Sequence, residues 1–127
     1  MIIGIGTDII SVERIKKIIE TRGERFLNLI FTDNEKKYCQ SKESPWINYA
    51  GRFAAKESVF KVLRTGWGLG VRWKDVEILK NKNGDPKVFL KGKTKIIAGN
   101  KGIKNIILSI SHDKKYAMAT AIGESIE

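Results

Sequence analysis

Cysteine, histidine and long apolar runs are scarce in this sequence, and each scarcity excludes a class of protein. The 127 residues contain one cysteine, Cys39, and one histidine. A lone cysteine cannot form an internal disulfide, which argues against a secreted disulfide scaffold and favours a reducing cytoplasm. Without a Cys/His cluster there is no ligand set for structural zinc. No apolar run approaches the roughly 20 residues that cross a bilayer, and the first residues lack the features of a signal peptide. We therefore expect no membrane partner.

Acidic residues are also few relative to basic ones. The chain has 24 lysines and arginines against 14 acidic residues, which gives a net charge of +10. Such an excess favours anionic partners, such as nucleic acid, a nucleotide, a membrane surface or an acidic protein. It is greatest between Lys80 and Lys104, where eight lysines are opposed only by Asp85. Hydrophobic residues make up 42% of the chain, which is enough for the core of one domain over residues 1–127.

Apolar spacing predicts mainly helices in the first half of the chain. The run from Met1 to Asp8 is rich in isoleucine and predicts a strand that ends at Asp8. Helical spacing follows it. Start and stop signals place helices after Ser11 with a break at Gly23, from the capping box Thr32–Glu35 to about Gln40, and from Ser44-Pro45 to about Leu63.

The second half of the chain predicts mainly strands. A glycine-rich turn at 65–70 is followed by apolar residues with a period of two, and Asn83–Pro86 is a strong turn signal between two strands. A helix is predicted at 93–100, and a closing pair of strands at 106–110 and 116–122. Helices followed by an antiparallel sheet indicate an α+β fold.

Two carboxylates and a lysine form the first candidate site. Glu57 and Lys61 are four residues apart on a predicted helix, so they share one face. Together with Asp8 they offer two acidic ligands for Mg²⁺ and a cation for a phosphate. The structural alternative is that Asp8 caps a helix and that Glu57 pairs only with Lys61, which stabilises a helix by ~0.2–0.5 kcal/mol. Periodicity does not choose between the two.

The single histidine, His112, is the second candidate. It lies at the predicted end of a strand, within Ser109-Ile-Ser-His-Asp113, where its side chain can reach a cleft. It can serve as a general base, as a phosphate contact or as a structural polar residue. The nearby Gly92-Lys93-Thr94 is not a Walker motif, because Lys87 stands where the upstream glycine is required.

Three separated segments resemble motifs of the holo-acyl-carrier-protein synthases. Gly4-Ile-Gly-Thr-Asp-Ile9, followed by Glu13-Arg-Ile15, is similar to the first motif of that family. Gly51-Arg-Phe-Ala-Ala-Lys-Glu-Ser58, with Lys61 one turn beyond Glu57, resembles the second. Ser109-Ile-Ser-His-Asp-Lys-Lys-Tyr-Ala117 resembles the C-terminal one. The order, separations and total length also agree, so the resemblance covers nearly the whole chain.

The resemblance implies a phosphopantetheinyl transferase of fatty acid biosynthesis. Such enzymes move 4′-phosphopantetheine from coenzyme A to a serine of apo-acyl carrier protein and release adenosine 3′,5′-bisphosphate. By motif position, Asp8 and Glu57 match Mg²⁺ ligands and Lys61 a lysine near the coenzyme A phosphates. Arg52 and His112 match positions that bind coenzyme A, with His112 near its 3′-phosphate. Glu57, or a water on the metal, is the candidate acceptor of the serine proton.

The resemblance also implies an assembly and a protein partner. The family is typically a homotrimer with active sites between subunits, so that His112 would face Asp8 and Glu57 of a neighbouring subunit. The acidic carrier protein would dock on a basic side of the first helix, formed by Arg14, Lys17 and Arg25. Taken without the resemblance, those three side chains fit an ordinary solvated helix face.

Two other classes of function are compatible with the composition. In the first, the chain is a small basic nucleic-acid-binding protein that uses the lysines between 80 and 104, with Trp67 and Trp73 as stacking platforms. In the second, it is a structural module in which Glu57 and Lys61 are a surface pair. The three agreeing motifs favour the transferase, which requires no nucleic acid.

Overall fold

The fold is built around one long helix that packs on a three-stranded sheet. It is described from a computed structural model over residues 1–65 and 70–125. The elements, in chain order, are β1 (Ile2–Ser11), α1 (Val12–Arg22), α2 (Glu24–Ile30), α3 (Asp33–Gln40), α4 (Pro45–Leu63), β2 (Val76–Lys80), β3 (Pro86–Leu90), α5 (Gly92–Asn100), β4 (Asn105–His112) and β5 (Tyr116–Glu124). The predicted α+β class is confirmed. None of the described helices has the length and apolarity needed to cross a bilayer.

The sheet joins the two ends of the chain. Its strand order is β1-β5-β4, and both pairs are antiparallel. β2 and β3 form a separate hairpin through the predicted turn. β1 precedes the helices, as predicted, and it joins the sheet by pairing with the last strand. β1 also continues to Ser11, so Asp8 does not end the strand but lies inside it, opposite Ala119.

The approach of β1 to α4 depends on glycine. A Cβ atom on Gly6 would lie 2.1 Å from the backbone oxygen of Ser58, and one on Gly123 of β5 would lie 2.7 Å from Cγ1 of Val62. Side chains alternate between the faces of a strand, so Gly6 and Asp8 share the face that meets α4. The lack of a side chain at Gly6 thus brings Asp8 close to the last turns of the helix.

Local sequence signals set most helix ends as predicted. The Ser11 side chain accepts a hydrogen bond from the Arg14 amide at 3.2 Å. Thr32 and Glu35 form the reciprocal capping box that starts α3. Pro45 begins α4 as predicted, but Ser44 makes no side-chain capping bond. The proline alone suits this start, because its ring presets the helical φ angle and the missing N–H needs no partner there.

A buried ion pair anchors α4 to its neighbours. Lys56 and Glu35 are fully buried, and their charged atoms are 2.8 Å apart. Lys56 also donates to the backbone oxygens of Trp73 and Val76, while Glu35 accepts from the amide of Ile78 at 2.7 Å. Burial lowers the pKa of Lys56, and the charge of Glu35 opposes that shift. The pair thereby connects α3, α4 and β2 in the core.

Other residues singled out in the sequence either pack in the core or lie outside the described ranges. Cys39 is buried, and burial raises the pKa of its thiol to about 12, as suits a packing residue. Trp73 stacks on Phe53 at 4.8 Å between ring centroids and meets Phe60 edge-on. Residues 66–69, which include Trp67 and most of the predicted glycine-rich turn, lie outside the described residues.

Candidate active site

Asp8, Glu57 and Lys61 line one cavity between β1, α1 and α4. Its volume is about 300 Å³, and Arg14, Phe53 and the isoleucines at 10, 15 and 18 complete the wall. The Lys61 ammonium donates to Oδ1 of Asp8 at 3.1 Å and to the backbone oxygen of Thr7 at 2.8 Å. Asp8 comes from β1, while Glu57 and Lys61 come from successive turns of α4.

One carboxylate oxygen of this cavity lacks a partner within residues 1–65 and 70–125, and the pKa of the second carboxylate is shifted. Oδ2 of Asp8 is buried and has no hydrogen-bond partner among the described residues. Burial raises the pKa of Glu57, and the charge of Asp8 raises it further, while Lys61 opposes both. Because a buried acceptor without a partner is costly, the cavity favours a bound cation.

The donor set fits Mg²⁺ better than a metal that requires a complete protein cage. Across residues 1–65 and 70–125, no group of three or more His, Cys, Asp or Glu side chains could hold a metal ion. Mg²⁺ needs fewer protein ligands, because it retains several waters and uses the phosphates of its substrate. Asp8 and Glu57 would supply its protein oxygens.

Arg52 and His112 lie in a second cavity on another side of α4. This cavity has a volume of about 170 Å³, and Tyr38, Asn48, Lys80 and Pro86 are among the residues that line it. Arg52 is only 5% exposed, and its guanidinium lies 3.9 Å from the centroid of the Tyr38 ring. The second cavity is therefore basic, whereas the first combines two carboxylates with two cations.

The family model of the 4′-phosphopantetheinyl transferase superfamily matches residues 4–121. The chain belongs to this superfamily. A holo-[acyl-carrier-protein] synthase of Caldanaerobacter subterraneus subsp. tengcongensis is 56% identical over 97% of this chain and 95% of its own length. The synthase of Chlamydia pneumoniae is 52% identical over 96% of this chain and 97% of its own. The family inferred from the three motifs is thus confirmed, and the chain is an enzyme of the phosphopantetheinyl transferase class.

Solved structures of phosphopantetheinyl transferases share the fold. The holo-[acyl-carrier-protein] synthase of Neisseria meningitidis aligns with a TM-score of 0.90 and 31% identity, covering 98% of this chain and 100% of its own. The synthase of Helicobacter pylori, solved in complex with coenzyme A, aligns with a TM-score of 0.83 and 31% identity, covering 94% and 99%. The likeness extends over the elements that form both cavities.

The predicted site residues of this transferase lie in two separate cavities and on the surface of the first helices. Asp8, Glu57 and Lys61 meet as expected, and Arg14 joins them at the cavity wall. Arg52 and His112 meet each other in the second cavity, away from the first. Their roles as metal ligands or coenzyme A contacts stay predictions.

The predicted partner-binding residues do not form one cluster. Arg25 and Arg22 line a third, open concavity of about 880 Å³ together with Phe26 and the exposed Leu29. Lys17 is exposed on α1 and lines neither this concavity nor the cavity of Arg14.

Sequence reasoning missed two groups that contribute to these sites. Lys56 stands beside Glu57 in the second motif, yet nothing in its spacing indicated a buried partner in Glu35. Tyr38 and Lys80 line the cavity of Arg52 and His112. The only available signal was the membership of Lys80 in the lysine-rich stretch, because the approach of Tyr38 to Arg52 is a tertiary contact.

Proposed function

We propose that this chain is a holo-acyl-carrier-protein synthase. It transfers 4′-phosphopantetheine from coenzyme A to a serine hydroxyl of apo-acyl carrier protein and releases adenosine 3′,5′-bisphosphate. The observation that carries the proposal is the cavity in which a carboxylate oxygen of Asp8 has no partner, next to Glu57 and Lys61. The names of the relatives support the reaction, and so does the coenzyme A found in the Helicobacter pylori structure.

The residues of the first cavity divide the chemistry of phosphoryl transfer among them. Asp8 and Glu57 would hold Mg²⁺, and the bound metal would neutralise charge on the pyrophosphate of coenzyme A. Lys61, already fixed by Thr7 and Asp8, donates to a phosphate oxygen and stabilises the leaving group. The nucleophile comes from the carrier protein, so the chain needs no reactive serine or cysteine of its own.

Glu57 is the proposed acceptor of the serine proton. Burial and the charge of Asp8 raise its pKa in the metal-free protein, but a bound Mg²⁺ would oppose that shift. The assignment therefore rests on the position of Glu57 in the cavity, within which the base must reach the serine hydroxyl. Glu57 also adjoins Lys61, so proton removal and phosphate binding are only one helical turn apart.

Arg52 and His112 are proposed to bind the distal end of coenzyme A. Coenzyme A carries a 3′-phosphate in addition to its pyrophosphate, and the second cavity offers a buried guanidinium and an imidazole for it. The two cavities lie apart on one chain, so one molecule of coenzyme A can use both only if they come from different subunits. The role of Arg52 and His112 therefore depends on the proposed trimer. In a trimer, the second cavity of one subunit would complete the first cavity of its neighbour.

A homotrimer is proposed because the sheet presents an apolar outer face. One face of the sheet packs on α4. The other face exposes two apolar pairs, Ile5 with Ile107 and Ile9 with Met118, which are separated by a polar row that contains Thr7. Isolated exposed apolar side chains are normal, but several on one sheet face indicate a protein contact. Light scattering after size-exclusion chromatography should give three times the chain mass, and Ile5→Lys should reduce it.

Arg14, Lys17 and Arg25 are proposed to dock the acidic carrier protein. Arg14 lines the catalytic cavity itself, and Arg25 borders a concavity with the exposed apolar Leu29. Basic rims of this kind accelerate encounter with an acidic partner. We also propose that the enzyme works in the cytoplasm in fatty acid biosynthesis, which agrees with a single, buried cysteine.

Mass spectrometry of an apo-carrier protein tests the reaction directly. Incubation with this chain, coenzyme A and Mg²⁺ should add the mass of one phosphopantetheine group to the carrier protein. The addition should stop when the metal is chelated and return when Mg²⁺ is restored. No gain in mass under any metal condition would refute the proposed function.

A further inference from the structure

Tyr38 lies at the centre of a cluster of cations in the second cavity. Three positive groups surround its ring, at 3.9 Å for the Arg52 guanidinium carbon, 4.7 Å for Nζ of Lys42 and 5.1 Å for Nζ of Lys80, each measured to the ring centroid. These groups come from α4, from the segment after α3 and from the end of β2. One aromatic ring therefore connects cations from three parts of the chain.

Arg52 stacks on this ring and pairs with no acidic side chain of residues 1–65 and 70–125. Its side chain is buried, the ion pairs of the described residues do not include it, and its Nε has no hydrogen-bond partner among them. An arginine in this position would normally pair with a carboxylate. Stacking on an aromatic face attracts the guanidinium without neutralising it. The charge of Arg52 consequently stays available to an anion.

The same cations also affect the pKa of the Tyr38 hydroxyl. Burial alone would raise its pKa, but the hydrogen bond from Lys80 and the charges of Arg52, Lys80 and Lys42 outweigh burial and lower it. Tyr38 is therefore in contact with Arg52 and lies beside Lys80. Arg52, Lys80 and His112 all line the cavity that Tyr38 borders.

We propose that Tyr38 is a positioning residue for recognition of the 3′-phosphate of coenzyme A. Its ring holds both Arg52 and Lys80, so that the two cations are placed for the phosphate before it binds. Lys80 thereby becomes a further phosphate-binding residue of this cavity. The inference rests on the proposed function, because it takes coenzyme A as the substrate.

Dephospho-coenzyme A separates positioning from general packing. This analogue lacks only the 3′-phosphate and retains the pyrophosphate that the first cavity handles. A purely structural role of Tyr38 would affect both cofactors equally. A positioning role would affect only the KM for coenzyme A and would leave kcat unchanged.

The experiment compares KM and kcat for the two cofactors in wild type, Tyr38→Leu and Tyr38→Phe, with the melting temperature of each. Tyr38→Leu should raise the KM for coenzyme A about tenfold, while the KM for dephospho-coenzyme A stays within about twofold. Tyr38→Phe retains the ring under Arg52 and should restore most of the affinity. Tyr49→Phe is the matched control, because this buried tyrosine bonds Gln40 and does not line the cavity.

If Tyr38→Leu fails to fold, a pair of lysine variants tests the proposal instead. Lys80→Met should raise the KM for coenzyme A alone, whereas Lys82→Met, in the adjacent turn and outside the cavity, should change neither. Equal changes for both cofactors, or equal effects of the two lysines, would overturn the inference. Calorimetry with adenosine 3′,5′-bisphosphate keeps the two proposals apart. Weaker binding by Tyr38→Leu in a protein without transferase activity would support the cation cluster and refute the proposed function.

Discussion

The two cavities that border helix α4 differ in their charged groups, although one helix contributes to both. Glu57 faces a cavity that combines two carboxylates with two cations and leaves one carboxylate oxygen without a partner among the described residues, whereas Arg52 faces a cavity lined by cations and by no carboxylate. The two residues are five positions apart, which separates them by about 140° around the helix. One rigid element therefore supports a site for a cation and a site for an anion, and each can be perturbed separately.

Loss of the buried Lys56 should damage both cavities together. Lys56→Ala leaves Glu35 charged and unpaired in the core, at a cost of about 3–5 kcal/mol in the free energy of unfolding. Urea unfolding measures this cost. Lys36, whose partner Asp33 is exposed, provides a matched surface pair, and Lys36→Ala should change stability little. Equal effects of the two substitutions would show that the buried pair does not anchor α4.

Removal of one carboxylate should abolish catalysis in the first cavity and leave ligand binding in the second unchanged. Asp8→Asn keeps the size of the side chain but removes a charged metal ligand, so kcat should fall at least about a hundredfold. Binding of adenosine 3′,5′-bisphosphate and the melting temperature should hold. Asp85→Asn, in the exposed turn between β2 and β3, is the control. Undiminished turnover of Asp8→Asn would remove Asp8 from the metal site.

A methyl group at Gly6 should displace the strand that carries Asp8. The Cβ of Gly6→Ala would collide with the Ser58 backbone oxygen at 2.1 Å, so we expect a loss of about 1–3 kcal/mol in stability and a larger loss in kcat. Gly99→Ala is the matched control, because its Cβ meets nothing within 4 Å and alanine favours a helix. Thermal denaturation of both variants checks the prediction. A harmless Gly6→Ala would contradict the close approach of β1 to α4.

Charge reversal at the rim should affect the carrier protein and not the cofactor. Arg14→Glu should raise the KM for the carrier protein about tenfold, because a like charge then faces an acidic partner. The rate should also become less sensitive to salt. Steady-state kinetics at several salt concentrations test this. Equal losses for carrier protein and coenzyme A would indicate a folding defect.

The smallest expected effect concerns the exposed histidine of the second cavity. His112→Ala removes one of several phosphate contacts, so the KM for coenzyme A should rise about threefold with kcat unchanged. Calorimetric titration with coenzyme A gives the same comparison without turnover. An unchanged affinity would assign His112 another role and leave Arg52 and Lys80 as the cations of that cavity.

Local sequence signals predicted the helices, whereas the sequence did not indicate which distant segments would be in contact. The capping box at Thr32 and the proline at 45 act within a few residues, and both mark helix starts in the structure. The pairing of β1 with β5 joins segments more than a hundred residues apart, and no local pattern encodes the partner of a strand. The same limit hid the Lys56–Glu35 pair.

The candidate site was likewise predictable where it depends on local spacing and unpredictable where it depends on tertiary contacts. The spacing of Glu57 and Lys61 placed them on one helical turn, and the motifs added Asp8. The approach of Asp8 to that turn depends on the missing side chain of Gly6, which only the packing reveals. Tyr38 escaped notice because its contacts with Arg52 and Lys80 arise from three distant segments.

The register of β1 against β5 has a consequence for folding of the enzyme. Asp8 lies opposite Ala119, so this aspartate is fixed only once both strands have been made and have paired. Contacts between segments so far apart in sequence form slowly, because a long loop must close first. The cavity of Asp8 should therefore be among the last parts of the molecule to form during folding.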